Sequence, residues 1–119
     1  MSGILHHMRT WILRFRKADR ADFLLLRRGI KRVETRAATP RYAKIAAGDA
    51  VQVRCGDEQT TKRVREVRRF RSIGALLRAI PHRDIMPRAA SSADVRRAYA
   101  GYGNAEKIRR HGILAFILT

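Results

Sequence analysis

Cysteine is nearly absent from these 119 residues: Cys55 stands alone, so no intrachain disulfide forms and no cysteine-based zinc motif can be built. A reducing, cytoplasmic setting is the expectation. Acidic residues are also few. Ten aspartates and glutamates face 27 lysines and arginines, a formal charge of +17 with a pI near 11.7, which favours a polyanionic partner, nucleic acid before an anionic membrane surface. Arginine outnumbers lysine 22 to 5, as a GC-rich genome produces, yet codon bias explains that ratio better than it explains the shortage of acids. Long apolar runs are missing as well. No stretch approaches the roughly 18 residues of a membrane span, and MSGILHHMR has neither the sustained apolar segment nor the small-residue site of a cleaved leader. The chain thus reads as a soluble intracellular protein with no membrane partner. Residues 1–8 carry no periodicity and are expected to be a disordered extension, with Met8 an alternative start. Residues 9–119, free of repeats, low-complexity tracts and linkers, are expected to form one domain.

The apolar residues, 45% of the chain, recur in short runs bounded by Gly, Pro or charge, as a folded protein requires. Thr10 to Phe15 alternates, with Trp11, Leu13 and Phe15 on one face of a half-buried strand. Asp19 stands as the N-cap of a helix over Arg20 to Arg28, and Gly29 stops it. From Ile30 to Arg36 the period changes, placing Lys31, Val33 and Thr35 on one side of a strand and Arg32, Glu34 and Arg36 on the other. Thr39-Pro40 begins a turn of helix through Tyr42 and Ile45. Gly48-Asp49 marks a tight turn before a strand from Ala50 to Cys55, whose Val51, Val53 and Cys55 point inward.

Across Gly56-Asp57-Glu58 a long basic strand, Thr60 to Phe70, completes a hairpin. Val64, Val67 and Phe70 do not keep one parity, which predicts a bulge. Ser72 caps a helix through Ile80 that Pro81 ends, Ser91 or Ser92 caps another through Tyr99, and the segment around Pro87 is a loop. Gly101-Tyr102-Gly103 breaks that last helix, a brief turn runs through Arg110, and Gly112 releases a terminal strand from Ile113 to Leu118. This order implies a small α+β domain whose sheet curls toward a barrel.

Gly29, Lys31, Glu34 and Arg36 are spaced G-x-K-x-x-E-x-R at the junction of helix and strand. The pattern resembles the signature of the ASCH family, whose domains are similar to the PUA-like β-barrels of RNA-binding proteins. FLLLRRG ahead of it, Tyr42 and Ile45-x-x-Gly48-Asp49 behind it, FRSIGALL, and Tyr99 or Tyr102 before HGILAFIL agree in order, from about Arg9 to Thr119. The resemblance implies a barrel of about five or six strands with flanking helices, a cleft near the signature, and a ligand that is RNA or a modified nucleotide. Some members of the family act as amidohydrolases on acetylated cytidine and others as ribonucleases. The amidohydrolase branch carries lysine at the third motif position and threonine at the sixth; Lys31 matches, and Glu34 stands in place of the threonine. Thr35 would project to the opposite side of the strand.

A lysine beside a carboxylate either keeps its charge for a phosphate or, when burial lowers its pKa, serves as a base. Glu34 and Arg36, two apart on a strand, share a face, so Glu34 either positions Arg36 for a phosphate or acts as a general base. An ion pair between these two, with Lys31 solvated, is the plainer alternative. Lys31, Glu34, Arg36, Tyr42 and Tyr102 are therefore the candidate ligand-binding residues, and Lys31 with Glu34 the catalytic pair if the chain is a small hydrolase. Tyr102, held between glycines that permit close backbone approach to a ligand, ranks ahead of Tyr42 for stacking on a base. In KRVREVRRFR, Arg63, Arg65 and Arg69 form a candidate phosphate patch. His6, His7, His82 and His111 lack the spacing of a metal site, and no P-loop, dinucleotide fingerprint or Ser-His-Asp arrangement is present, so neither metal nor cofactor is expected.

Overall fold

In the computed structural model, which describes residues 7–119, the alternating Trp11, Leu13 and Phe15 become strand β1 (Thr10–Phe15), with Leu13 buried and Ile12 facing solvent. Most of the extension expected over residues 1–8, His6 included, lies outside the described residues. His7 and Met8 are exposed and belong to no helix or strand. A 3-10 turn over Lys17–Asp19 leads into helix α1 (Arg20–Arg27), which buries Phe23 and Leu26. Asp19 occupies the cap position, but its carboxylate takes Arg16 Nε at 2.9 Å instead of a helix N–H.

Strand β2 (Val33–Ala37) starts three residues later than its sequence pattern suggests. The cause lies in the turn at Gly29, which has φ +79. Both Ile30 and Lys31 donate their N–H groups to Leu25 O, at 2.9 and 3.1 Å, so they belong to the end of the helix. A single turn, α2 (Pro40–Ala43), precedes β3 (Ala50–Cys55); β4 (Glu58–Phe70) follows across a turn of only Gly56-Asp57. Helix α3 (Ile73–Ala79) is capped by Ser72 and α5 (Ser92–Gly101) by Ser91, each hydroxyl accepting from the N–H three residues on. Between them the expected loop holds a further turn, α4 (His82–Ile85). The expected brief turn before Gly112 is a seven-residue helix, α6 (Ala105–His111), ahead of β5 (Ile113–Leu118).

The five strands form one curled sheet, a half-barrel in the order β1-β3-β4-β5-β2, flanked by helices in an α+β arrangement. β1 pairs parallel with β3 and every other pairing is antiparallel. The predicted bulge is present as a register shift between Val64 and Glu66. β5 is apolar on both faces because both are covered. Leu114, Phe116 and Leu118 join Leu13, Phe23, Leu26, Val51, Val53 and Val64 beneath α1, while Ile113 and Ala115 join Val33, Leu76, Ile85, Val95 and Ile108 beneath α3 to α6. The edge strands β1 and β2 face each other across a gap that Arg36 spans, its Nη2 donating to Arg14 O at 3.1 Å.

Gly112 carries φ 87 and ψ −172, a conformation only glycine adopts readily, and a Cβ there would meet Phe70 O at 2.6 Å. Gly29 has a positive φ but open space around it. Gly112→Ala is therefore expected to cost about 3 kcal/mol and Gly29→Ala about 1 kcal/mol in urea unfolding; equal losses would contradict this account.

Candidate functional site

The turn at Gly29 sets Lys31 ahead of β2, and this corrects the expected parity. Lys31 is not a solvated residue on the face opposite Glu34: it is 5% exposed, and its ammonium reaches Glu34 Oε1 at 3.3 Å. It also donates to Val33 O at 2.6 Å and to Ile85 O, tying α4 to the start of β2. An ammonium has three protons. Three acceptors surround this one, a partner for each proton.

Glu34 pairs in register with Phe116 of β5 and Arg36 with Leu114, so both project into the half-barrel at the gap between its edges. Arg36 Nη1 lies 2.8 Å from Glu34 Oε2 and donates at 2.7 Å to Thr35 O, while the Thr35 N–H donates to Glu34 Oε1 at 3.1 Å. Burial by itself pushes the Glu34 carboxyl up. The charges of Lys31 and Arg36, the Arg36 hydrogen bond and the Thr35 N–H outweigh it and hold the carboxyl below its ordinary range. For Arg36 burial works against the charge, and Glu34 more than restores it. The guanidinium also lies over Phe15, at 5.8 Å, and Tyr42, at 5.9 Å.

These groups line a cavity of about 230 Å³ whose wall also includes Arg14, Arg16, Asp19, Asp22, Tyr99, Tyr102 and Asn104. Tyr99 is buried and its hydroxyl hydrogen-bonds the Thr35 hydroxyl from the far side of β2; burial raises its phenol well above the ordinary value. Tyr102 is 37% exposed, meets Tyr99 edge-on with centroids 5.6 Å apart, and lies beneath the Arg16 guanidinium at 5.2 Å. Its phenol is raised, first by burial and then by Asp19, Asp22 and Glu34. Among the described residues, Asn104 Oδ1 is the buried side-chain acceptor left without a donor.

Lys31, Glu34, Arg36 and Tyr102 thus share one cavity. Tyr42 does not line it; it stands behind Arg36 and packs on the core. The basic patch is also regrouped. Arg63 donates to Gly48 O at 3.3 Å and Arg69 to His111 O at 2.6 Å, whereas Arg65, beside the bulge, lines a second cavity with Lys62 and Arg68. Arg14, Arg16 and Asn104 were not singled out from sequence. Arg14 has the outward parity of a surface residue on β1, and no spacing links Asn104 to the motif. No group of three or more His, Cys, Asp or Glu among the described residues is placed to hold a metal ion.

Because the fold holds Glu34 below the ordinary 4.5 of a glutamate, its ionisation stabilises the folded state above that pH. This contribution fades as pH falls from the ordinary value through the lower folded one. Glu34→Gln leaves Lys31 and Arg36 without their anion and is expected to lose about 3 kcal/mol near neutrality. Urea unfolding of both proteins across pH checks this: the gap between them should narrow on acidification, and a constant gap would contradict the assignment.

No protein-family model matches the chain, and no curated protein matches it. Solved structures do share its fold. The crystal structure of hypothetical protein PH0355 superimposes with a TM-score of 0.80 at 18% identity, covering 92% of this chain and 96% of that one. The solution structure of protein PF0455 from Pyrococcus furiosus gives a TM-score of 0.72 at 19% identity over 92% and 94%. At such identities the likeness establishes the half-barrel with its flanking helices.

Proposed function

We propose that this chain is an ASCH-type, PUA-like protein that binds RNA through a single nucleotide, or a free modified nucleotide, in the cavity lined by Gly29-x-Lys31-x-x-Glu34-x-Arg36. The observation that carries the reading is the convergence of the three charged motif residues on one cavity, with Tyr102 at its rim and Tyr99 behind it. A volume of about 230 Å³ lies below the roughly 300–1,000 Å³ of drug-sized pockets, which suits one base or nucleoside rather than a stretch of chain. Tyr102 offers a face for stacking, and Arg14 and Arg16 supply positive charge at the same wall.

Binding fits the geometry better than hydrolysis does. A general base must hold a free lone pair near neutral pH. Lys31 is engaged as an ammonium by three acceptors, and Glu34, held as a carboxylate below its ordinary range, is a weak base already accepting from Lys31, Arg36 and the Thr35 N–H. What Glu34 retains is acceptor capacity on Oε2, which suits a donor on a ligand.

Calorimetry with a panel of nucleosides and modified nucleosides tests the reading. Binding to at least one is expected, and Tyr102→Ala should weaken it about tenfold, within the roughly 1–3 kcal/mol of a base–aromatic stack, without lowering thermal stability. Acetylated cytidine should be bound without turnover. Release of acetate would favour the hydrolase, and a protein that neither binds nucleosides nor shifts RNA at moderate salt would sink the proposal.

A further inference from the structure

The second cavity, about 490 Å³, shares Lys31 with the first as a common wall. Its remaining charged lining is Arg32, Lys62, Arg65 and Arg68 against Glu66 and Asp84. Two elements flanking β5 bring the cations together. Arg32 leads into β2, whose Val33 pairs with Ile117; on the other side of β5, Glu66 of β4 pairs with the same Ile117. The register shift between Val64 and Glu66 leaves Arg65 outside the ladder, which re-aims it beside Glu66 and Arg68.

Among the described residues, no carboxylate pairs with the guanidiniums of Arg32, Arg65 or Arg68, although seven other arginines outside the first cavity's motif have found one. Glu66 and Asp84 also have no cationic partner there. Cations that outnumber the nearby carboxylates and contact none of them repel one another, and a bound polyanion removes that repulsion. The two carboxylates call for something besides anions: they accept hydrogen bonds and donate none. A ribose-phosphate chain presents both phosphates and 2′-hydroxyl donors. The side chains of an acidic peptide present carboxylates without hydroxyl donors, so they offer Glu66 and Asp84 no hydrogen to accept.

We infer that the second cavity is a ribose-phosphate subsite, in which Arg32, Arg65 and Arg68 hold the backbone of a single-stranded RNA and Glu66 and Asp84 accept from its 2′-hydroxyls. The inference rests on the nucleotide reading of the first cavity, because the shared Lys31 wall places this backbone beside the nucleotide bound there.

The test compares Arg65→Gln/Arg68→Gln with Arg78→Gln/Arg96→Gln, a control that removes the same charge from residues lining neither cavity. Anisotropy with a labelled single-stranded RNA of about ten nucleotides is read across salt concentrations, alongside calorimetry with a mononucleoside. The cavity variant should lose about tenfold in RNA affinity at low salt, and its salt slope should shrink by about 0.7 for each contact removed. Its mononucleoside affinity should stay unchanged, and the control should change little. Glu66→Gln/Asp84→Asn should reduce the preference for RNA over DNA of the same sequence. Equal losses in cavity variant and control, polyglutamate competing as well as RNA, or no RNA binding by the unmodified protein would each overturn the inference. If RNA affinity falls as expected but no nucleoside binds, the phosphate subsite stands and the nucleotide reading of the first cavity falls.

Discussion

Glu34 is a carboxylate with only 9% of its side chain exposed, and removing such a charge from water costs several kcal/mol unless partners of good geometry offset it. Lys31 and Arg36 approach it from either side, and a backbone N–H completes the set. Each partner also fastens something else. Lys31 joins α4 to β2 through two carbonyls, and Arg36 reaches across the open seam of the half-barrel to Arg14 O. One buried anion thereby organises the mouth of the sheet and part of the cavity wall, and its two cations would face each other unscreened if it were lost.

The shortage of acids gives this arrangement its wider context. Seven of the ten carboxylates have defined partners: Glu34 at the seam, Asp49 beneath Trp11, and Asp19, Asp22, Glu58, Asp94 and Glu106 on arginines. Most of those surface pairs are solvent-exposed and contribute little to stability. The three carboxylates outside those pairs include Glu66 and Asp84, which line the second cavity without reaching Arg32, Arg65 or Arg68, so these guanidiniums keep their charge uncompensated by direct contact. Both cavities meet at Lys31, whose own charge is committed to Glu34 and two carbonyls. The residue nearest to both is thus structural in its contacts, and the groups free to meet a ligand lie around it.

Much of the fold was legible because it depends on short-range signals. The alternation in β1, the serine caps of α3 and α5, the bulge foreshadowed by Val64, Val67 and Phe70, and the release of β5 at Gly112 each follow from a few adjacent residues. Sequence reading missed α4 and took α6 for a brief turn; both are short and lack a capping side-chain hydrogen bond. The parallel pairing of β1 with β3 is long-range and leaves no local mark.

The candidate site divides along the same line. Sequence alone determined that Gly29 ends a helix, that Glu34 and Arg36 share one face of a strand, and that the chain's charge is far from balanced, since each depends on backbone periodicity or composition. Tertiary structure decided the rest. It drew Lys31 off the strand and onto Glu34, because the Gly29 turn binds Ile30 and Lys31 to Leu25 O. It moved Tyr42 behind Arg36 and split Arg65 from Arg63 and Arg69, because packing against the core and a one-residue shift in β4 override the spacing of residues along a chain.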